Sequence, residues 1–198
     1  MKHIFLAMAL SLSATFAAAQ DKLPLSAISD YMNGLTTLKA PFTQFNGDGS
    51  TSTGTLFVHR PGRMRFEYDP PDSAVVVAGS GAVVIHDPKS NQPPESYPLK
   101  RTPLSIILAR RVDLGKADMV VGHEVRDGMT IVSAQDPDHP DYGRIDLMFG
   151  GSPVDLREWV VHDDAGGQTR VVLGDMQKNA RLDSSLFRNS SPSSRNKR

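Results

Sequence analysis

The sequence predicts a mainly β protein of the α+β class, and three observations support that prediction. Apolar and polar residues alternate along many short segments, turn-forming residues separate these segments, and two other segments carry a helical pattern. Many short strands joined by hairpin turns are typical of an antiparallel meander. With 198 residues, of which 39% are apolar, the chain is long enough to enclose a hydrophobic core.

The first 19 residues have the pattern of a secretory signal peptide. Lys2 is basic, the stretch from Ile4 to Phe16 is apolar and uncharged, and Ala17-Ala18-Ala19 offers small residues for cleavage. This stretch is shorter than the about 17–25 residues that cross a bilayer, which disfavours the alternative of an uncleaved anchor. We therefore expect an exported protein that is soluble after cleavage near Ala19.

The remainder of the chain is expected to form one domain, residues 20–189. Residues 190–198 are polar and basic and contain nothing apolar, so we expect a flexible tail.

The first predicted helix of this domain covers residues 25–38. Its apolar residues recur at spacings of three and four, which is the period of a helix with one buried face. They are Leu25, Ile28, Met32, Leu35 and Leu38. Pro24 precedes them, at a position where a missing N–H costs nothing.

From residue 42 onward the apolar period becomes two. Leu56 and Val58 belong to one predicted strand, and Met64, Phe66 and Tyr68 to the next. Arg63, Arg65 and Glu67 alternate with the second set, so we expect them to lie on a solvated face. Further strands are predicted at residues 74–78, 82–86, 119–125, 129–134, 144–149, 156–162 and 168–173.

A second predicted helix interrupts this pattern. Thr102 is placed as its N-cap and Pro103 as its first residue. Leu104, Ile106, Ile107 and Leu108 then make the helix apolar on nearly every side. In a small β protein such a helix has to lie in the interior or cover an opening.

The composition excludes several kinds of site. The 22 basic and 22 acidic residues balance, which gives no basic surface for nucleic acid, and the absence of cysteine excludes disulfides and thiolate chemistry. We find no catalytic motif, and we expect no enzyme activity, no metal and no cofactor. Gly79-Ser80-Gly81 is interpreted as a turn and not as a nucleophile elbow.

Two polar features leave alternatives open. The segment from Asp136 to Asp141 combines three acids with His139, which could hold a hard cation, but its two prolines favour a solvated loop. Arg60 begins a turn between two amphipathic strands, where its donors could reach several carbonyls. On the residues alone, a turn arginine without a special role is the favoured interpretation.

The order of several motifs resembles that of the LolA family of lipoprotein carriers. These motifs are Phe42-Thr43-Gln44, the stretch from Gly54 to Arg60-Pro61, the strand from Met64 to Tyr68, Thr102-Pro103 with its apolar helix, and a late Phe187. The resemblance extends from about Leu25 to about Phe187. It implies an open, incomplete antiparallel β-barrel whose apolar concave face is covered by helices that act as a lid.

The resemblance also implies roles for individual residues. Arg60 falls on the arginine that holds the lid closed in the empty state, and Leu104, Ile106, Ile107 and Leu108 fall on the lid helix. The cavity for acyl chains would be lined by residues of two strands and the first helix. These are Met64, Phe66, Tyr68, Leu56, Val58, Ile28, Met32 and Leu35.

By this resemblance the protein is a periplasmic carrier of acylated lipoproteins, and we expect a monomer. It would receive them from an ATP-driven inner-membrane release complex and pass them to an outer-membrane acceptor of the LolB type. LolB shares the fold but needs an N-terminal cysteine for its own lipid, and this chain has none. The alternatives are an exported structural or ligand-binding β-domain without lipoprotein transfer and, less favoured, an exported hydrolase.

Overall fold

The computed structural model describes residues 21–116 and 118–188. The predicted signal peptide and the predicted flexible tail lie outside these residues. Twelve strands are present: β1 (Thr37–Phe45), β2 (Thr51–His59), β3 (Arg63–Tyr68), β4 (Val75–Gly79), β5 (Ala82–His86), β6 (Glu95–Pro98), β7 (Val120–Arg126), β8 (Met129–Gln135), β9 (Arg144–Gly150), β10 (Asp155–His162), β11 (Gln168–Leu173) and β12 (Gln177–Lys178). The helices are α1 (Leu25–Gly34) and α2 (Leu104–Ile107), with 3₁₀ turns at Leu99–Arg101, Pro140–Tyr142 and Ser184–Phe187.

The strands form one open antiparallel sheet, which confirms the predicted fold class. Their order is β6-β5-β4-β3-β2-β1-β11-β10-β9-β8-β7, and the short β12 pairs with β1. In the described part of the chain β6 and β7 are the two free edges. Most neighbours in the sheet are also neighbours in sequence, as expected for a meander.

The sheet is strongly curved. Phe66 on β3 and Trp159 on β10 are four strand steps apart in the sheet. On a flat sheet this would separate them by about 19 Å, since adjacent strands lie about 4.8 Å apart. Their ring centroids are instead 6.4 Å apart. The sheet therefore bends around one face, which we call the inner face.

Local sequence explains the tight turns. Ser80 and Gly81 both have positive φ, 51° and 80°, in the two-residue connection between β4 and β5. Such a pair matches the twist of a hairpin, and glycine adopts it without steric cost. The predicted turn at residues 79–81 is confirmed.

The first helix is shorter than predicted. α1 ends at Gly34, the residue that weakens the helical pattern, and β1 already begins at Thr37. Leu38 therefore lies in a strand, although it is buried as expected. The strand β6 was not predicted, because all four of its residues are exposed and show no alternation.

Neither helix in residues 21–116 and 118–188 has the length and apolar composition needed to cross a membrane. α1 and α2 instead pack their apolar side chains into a cluster with the inner face of the sheet.

Candidate functional site

The inner face of the sheet is apolar along β2 and β3. Leu56 lies opposite Phe66 in the antiparallel register, and Val58 lies opposite Met64. All four side chains are buried. Because alternate residues of a strand share one face, these cross-strand pairs make a continuous apolar surface.

Tyr68 extends this surface and ends it with a polar group. Its ring lies edge-on to Phe42 at 5.2 Å, and its hydroxyl donates to Gln44 Oε1 at 2.8 Å. Burial raises the pKa of Tyr68 from its ordinary value of 10.0 to about 12. Its apolar body and polar tip suit the boundary of an apolar site.

Gly54 permits this packing. A Cβ at this position would overlap the carbonyl oxygen of Glu67 and approach the ring of Phe42 to 2.8 Å. The neighbouring strand and the Phe42 ring therefore occupy the space that any larger residue would need. This explains why the motif before Arg60 begins with glycine.

Helix α1 supplies the next part of the cluster. Ile28 and Met32 are buried and lie four residues apart, hence on one side of the helix. Leu35, just beyond the helix, is buried beside them. All three belong to the same apolar cluster as the β2 and β3 side chains.

The second helix is shorter than predicted, with only Leu104–Ile107 in α-helical conformation. Thr102 is not its N-cap, since its hydroxyl donates to the Leu99 carbonyl at 2.9 Å. The Leu108 carbonyl accepts from the Gly62 N–H at 2.9 Å. The helix thus ends just before a carbonyl that bonds to the turn between β2 and β3.

The apolar residues of this second segment nevertheless lie where the sequence predicts. Ile106, Ile107 and Leu108 are buried, and the half-buried Leu104 packs against them. They share one cluster with Phe66 and the other inner-face side chains. The structure thus brings all twelve residues predicted for the cavity and its lid together, with the lid residues packed down.

Arg60 joins the two helical segments. Its Nη1 donates to the Leu35 carbonyl at 3.4 Å, and its Nη2 donates to the Ala109 carbonyl at 2.8 Å. The first carbonyl follows α1 and the second follows α2, and the partial negative charge of each oxygen attracts the guanidinium. Arg60 is only 8% exposed, so its guanidinium is buried between these segments instead of projecting into solvent as in an ordinary turn.

The charge of Arg60 is balanced only by these carbonyl dipoles. Within residues 21–116 and 118–188 no carboxylate pairs with it, and its buried Nε has no hydrogen-bond partner. Desolvation lowers the pKa of its guanidinium below the usual value. Arg60 therefore holds two segments together at a cost in solvation.

Asn33 and Ser29 also hold the second segment, and neither was identified from the sequence. The Asn33 side chain donates to the Val112 carbonyl at 2.8 Å and accepts from the Val112 N–H at 2.9 Å. The Ser29 hydroxyl accepts from the Leu114 N–H at 3.0 Å. Nothing in the pattern of a short helix signals such contacts, because both partners lie some 80 residues away.

The outer face of β3 is less solvated than predicted, because Arg65 is buried while Arg63 and Glu67 are half-buried. Arg65 is only 5% exposed, pairs with Glu67 at 2.6 Å, and donates to the Leu186 carbonyl at 3.2 Å. The 3₁₀ turn Ser184–Phe187 covers this face, with the Phe187 ring 5.9 Å from the Arg63 guanidinium. The covering segment comes from the far end of the chain, and residues 63–68 carry no sign of it.

The acidic segment that could hold a cation is arranged as a turn. Asp136 Oδ1 accepts from the Asp138 N–H at 2.9 Å and from the His139 N–H at 3.2 Å. The His139 ring stacks on Tyr142 at 4.5 Å. These contacts are those of an Asx-type turn, as the favoured interpretation expects.

Comparison with known proteins gives a family match. Residues 33–190 match the model of the family described as "Outer membrane lipoprotein carrier protein LolA". A Dechloromonas aromatica protein named outer-membrane lipoprotein carrier protein is 29% identical over 83% of this chain and 82% of its own. A protein of the same name from Pseudomonas aeruginosa is 25% identical over 94% of this chain and 92% of its own.

Solved structures also resemble the chain. A LolA superfamily protein from Nitrosomonas europaea aligns over 84% of this chain and 98% of its own, with 10% identity and a TM-score of 0.43.

Proposed function

Because the chain belongs to the LolA family of outer membrane lipoprotein carrier proteins, we propose that it shelters the acyl chains of lipoproteins against the inner face of its sheet. In this proposal the lid moves aside, the acyl chains replace its contacts, and Arg60 biases the protein toward the closed, empty state.

The route of the cargo belongs to the same proposal. The carrier acts in the periplasm as a monomer and receives acylated lipoproteins from an ATP-driven inner-membrane complex. It then delivers them to an acceptor of the LolB type in the outer membrane. No catalytic step is required, because the cargo is moved and not changed.

One observation supports this function above all. The lid residues, from Leu104 to Leu108, share a single apolar cluster with the inner-face residues, from Leu56 to Phe66. An acyl chain in water costs about 0.8 kcal/mol per methylene, on the order of 10 kcal/mol for a long chain. A soluble carrier must offer comparable apolar surface and cover it when empty, and a short apolar lid does both.

The bonds of Arg60 suit a lid that has to reopen. Charge-assisted hydrogen bonds contribute about 1.5–3 kcal/mol, which shifts a two-state equilibrium by about one to two orders of magnitude. Two such bonds keep the empty lid closed without making opening prohibitive.

The test is transfer of a purified lipoprotein from carrier to acceptor in vitro, with Arg60→Leu compared with the natural chain. We expect the variant to fold and to bind lipoprotein. Delivery to the acceptor should fall, because the closed empty state no longer favours release. Transfer at the natural rate would contradict the role of Arg60.

Arg126→Leu is the matched control, since its guanidinium is exposed on an edge strand. Its transfer rate should equal that of the natural chain. Mass spectrometry of lipid that co-purifies with the natural protein separates a carrier from a structural β-domain, which would hold none.

A further inference from the structure

The lid segment, residues 99–114, is attached unevenly. Its C-terminal half bonds to four other positions of the molecule. Arg60 and Gly62 bond to the carbonyls of Ala109 and Leu108, as described above. Asn33 and Ser29 bond to the main chain of residues 112 and 114. These contacts fix the C-terminal half to α1 and to the turn between β2 and β3.

The N-terminal half has few such attachments. Leu99 N–H donates to the Gly81 carbonyl at 2.9 Å. Within the described part of the chain, every hydrogen bond made by residues 100–107 joins two residues of the lid segment itself. Leu99 itself is buried in the apolar cluster and follows β6, which pairs with β5. Residues 100–107 are therefore the part of the lid segment that packing holds without hydrogen bonds to the rest of the molecule, and we expect them to move about the C-terminal half.

A crevice of about 580 Å³ lies beside the beginning of this stretch. Its walls include Tyr97 of β6, Arg101 and Pro103 of the lid segment, Tyr142, and Val161 with Asp163 at the end of β10. This volume is within the usual range of ligand sites, about 300–1,000 Å³.

The crevice leads toward the apolar cluster. Val161 lines the crevice and also packs against that cluster, and Pro103 directly precedes α2. A ligand that passed Val161 would therefore reach the inner face beneath the lid.

Its remaining lining is amphipathic. Tyrosines on two sides have apolar rings with polar tips, and the charged groups are the Arg101 guanidinium and the carboxylates of Asp141, Asp163 and Asp164. Such walls suit the ester and amide groups that join acyl chains to a peptide.

A weak contact closes the crevice. The Arg101 guanidinium lies 5.5 Å from the centre of the Tyr142 ring and bridges the lid segment to the connection between β8 and β9. A cation–π contact of this kind is easily broken at an exposed site.

We propose that this crevice is the passage by which acyl chains reach the inner face. Once the acyl chains are inside, the crevice binds the polar head of the acylated ligand. The lid segment hinges at Asn33 and Ser29 and opens at Arg101. This inference rests on the proposed function, because it assigns an entrance to the acyl site.

The experiment uses a synthetic diacylglyceryl-cysteine peptide with a benzophenone on the residue after the lipidated cysteine. After illumination, cross-linked residues of the natural chain are mapped by mass spectrometry. Cross-links at residues 97–103, 141–142 or 161–164 are expected. Binding of the peptide with cross-links confined to the hinge side, near Asn33 and Val112, overturns the crevice while leaving the carrier function intact. Absence of any binding overturns both.

A second measurement tests the direction of opening. The natural chain has no cysteine, so Arg101→Cys with Tyr142→Cys can be joined by a short bismaleimide. We expect uptake of the acylated peptide to stop after linkage. In the unlinked pair uptake should be about two- to fivefold faster than in the natural chain, because the cation–π contact is lost.

The matched pair is Asn33→Cys with Val112→Cys, treated with the same reagent. Linkage here clamps the hinge and should leave uptake unchanged relative to the same pair unlinked. If this pair blocks uptake and the crevice pair does not, the lid opens in the opposite direction and the inference is wrong.

Discussion

Two buried arginines on opposite faces of the same hairpin have different partners. Arg65, on the outer face, pairs with Glu67 and donates to the carbonyl of Leu186. Arg60, at the turn beside the inner face, donates only to the carbonyls of Leu35 and Ala109. Each arginine fastens a covering segment to the sheet.

The difference lies in how the buried charge is balanced. A carboxylate partner compensates the desolvation of Arg65. Carbonyl dipoles compensate Arg60 less completely. The segment over the inner face is thus held by carbonyl dipoles, and the segment over the outer face by an ion pair beside a packed ring.

The largest effect is expected from a charge placed in the apolar cluster of the inner face. Ile107→Asp puts a carboxylate among apolar side chains, at a position that is only 4% exposed. We expect binding of a fluorescent fatty-acyl probe to be abolished. Val125→Asp, at an exposed position of β7, is the control and should bind normally.

Circular dichroism must show that Ile107→Asp is folded; the half-buried Leu104→Asp replaces it if it is not. A folded variant that still retains the probe would contradict the assignment of the lid.

The next largest effect should come from the outer covering. Phe187→Ala removes a ring that is only 6% exposed, and we expect the free energy of unfolding to fall by about 3 kcal/mol. Urea denaturation measures this loss. Binding of the acyl probe should be unchanged, because the ring lies on the face opposite the lid; weakened binding by the folded variant would show that the two coverings are coupled.

A smaller effect is expected from Glu67→Gln, which removes the partner of Arg65 and keeps its shape. The carboxylate is 37% exposed, so solvent screens the pair and the loss should be about 1 kcal/mol. Lipoprotein transfer should be normal. If this variant instead slows transfer as Arg60→Leu does, the two arginines do not differ in function.

The last effect is a pH dependence that belongs to the inner face and is confined to alkaline solution. Burial raises the pKa values of Tyr31 and Tyr68 from 10.0 to about 12. The folded protein then binds these protons more tightly than the unfolded chain, so this stability is present below pH 10 and lost between pH 10 and 12. Urea midpoints across that range should fall less steeply in Tyr68→Phe than in the natural chain. An equal slope would show that Tyr68 contributes nothing.

The repetitive parts of the fold could be predicted from local patterns. Residues 82–86 and 168–173 form strands within the predicted bounds, and the inner-face set from Leu56 to Phe66 follows from a period of two. Strand alternation is a local property, and burial of one face follows directly from it. The edge strand β6 could not be found this way, because neither of its faces is buried.

The sequence predicted only part of the candidate site. Its apolar members were predicted from the residues, and the resemblance to the family supplied their roles. The residues alone favoured an Arg60 without a special role and an Arg65 on a solvated face. Asn33 and Ser29 were missed altogether. Each of these polar residues forms hydrogen bonds with a group that is distant in the sequence. The residues next to it in the chain do not indicate that partner.

The sequence by itself determined which residues are apolar, which of them share a face, and where glycine and proline turn the chain. The tertiary structure alone decided that α2 ends after four residues and that two arginines on one hairpin serve different covers. The reason is physical. Alternation and turns depend on neighbours in the chain, whereas Arg60 and Arg65 bond to carbonyls 49 and 121 residues away, and only folding brings those groups into reach.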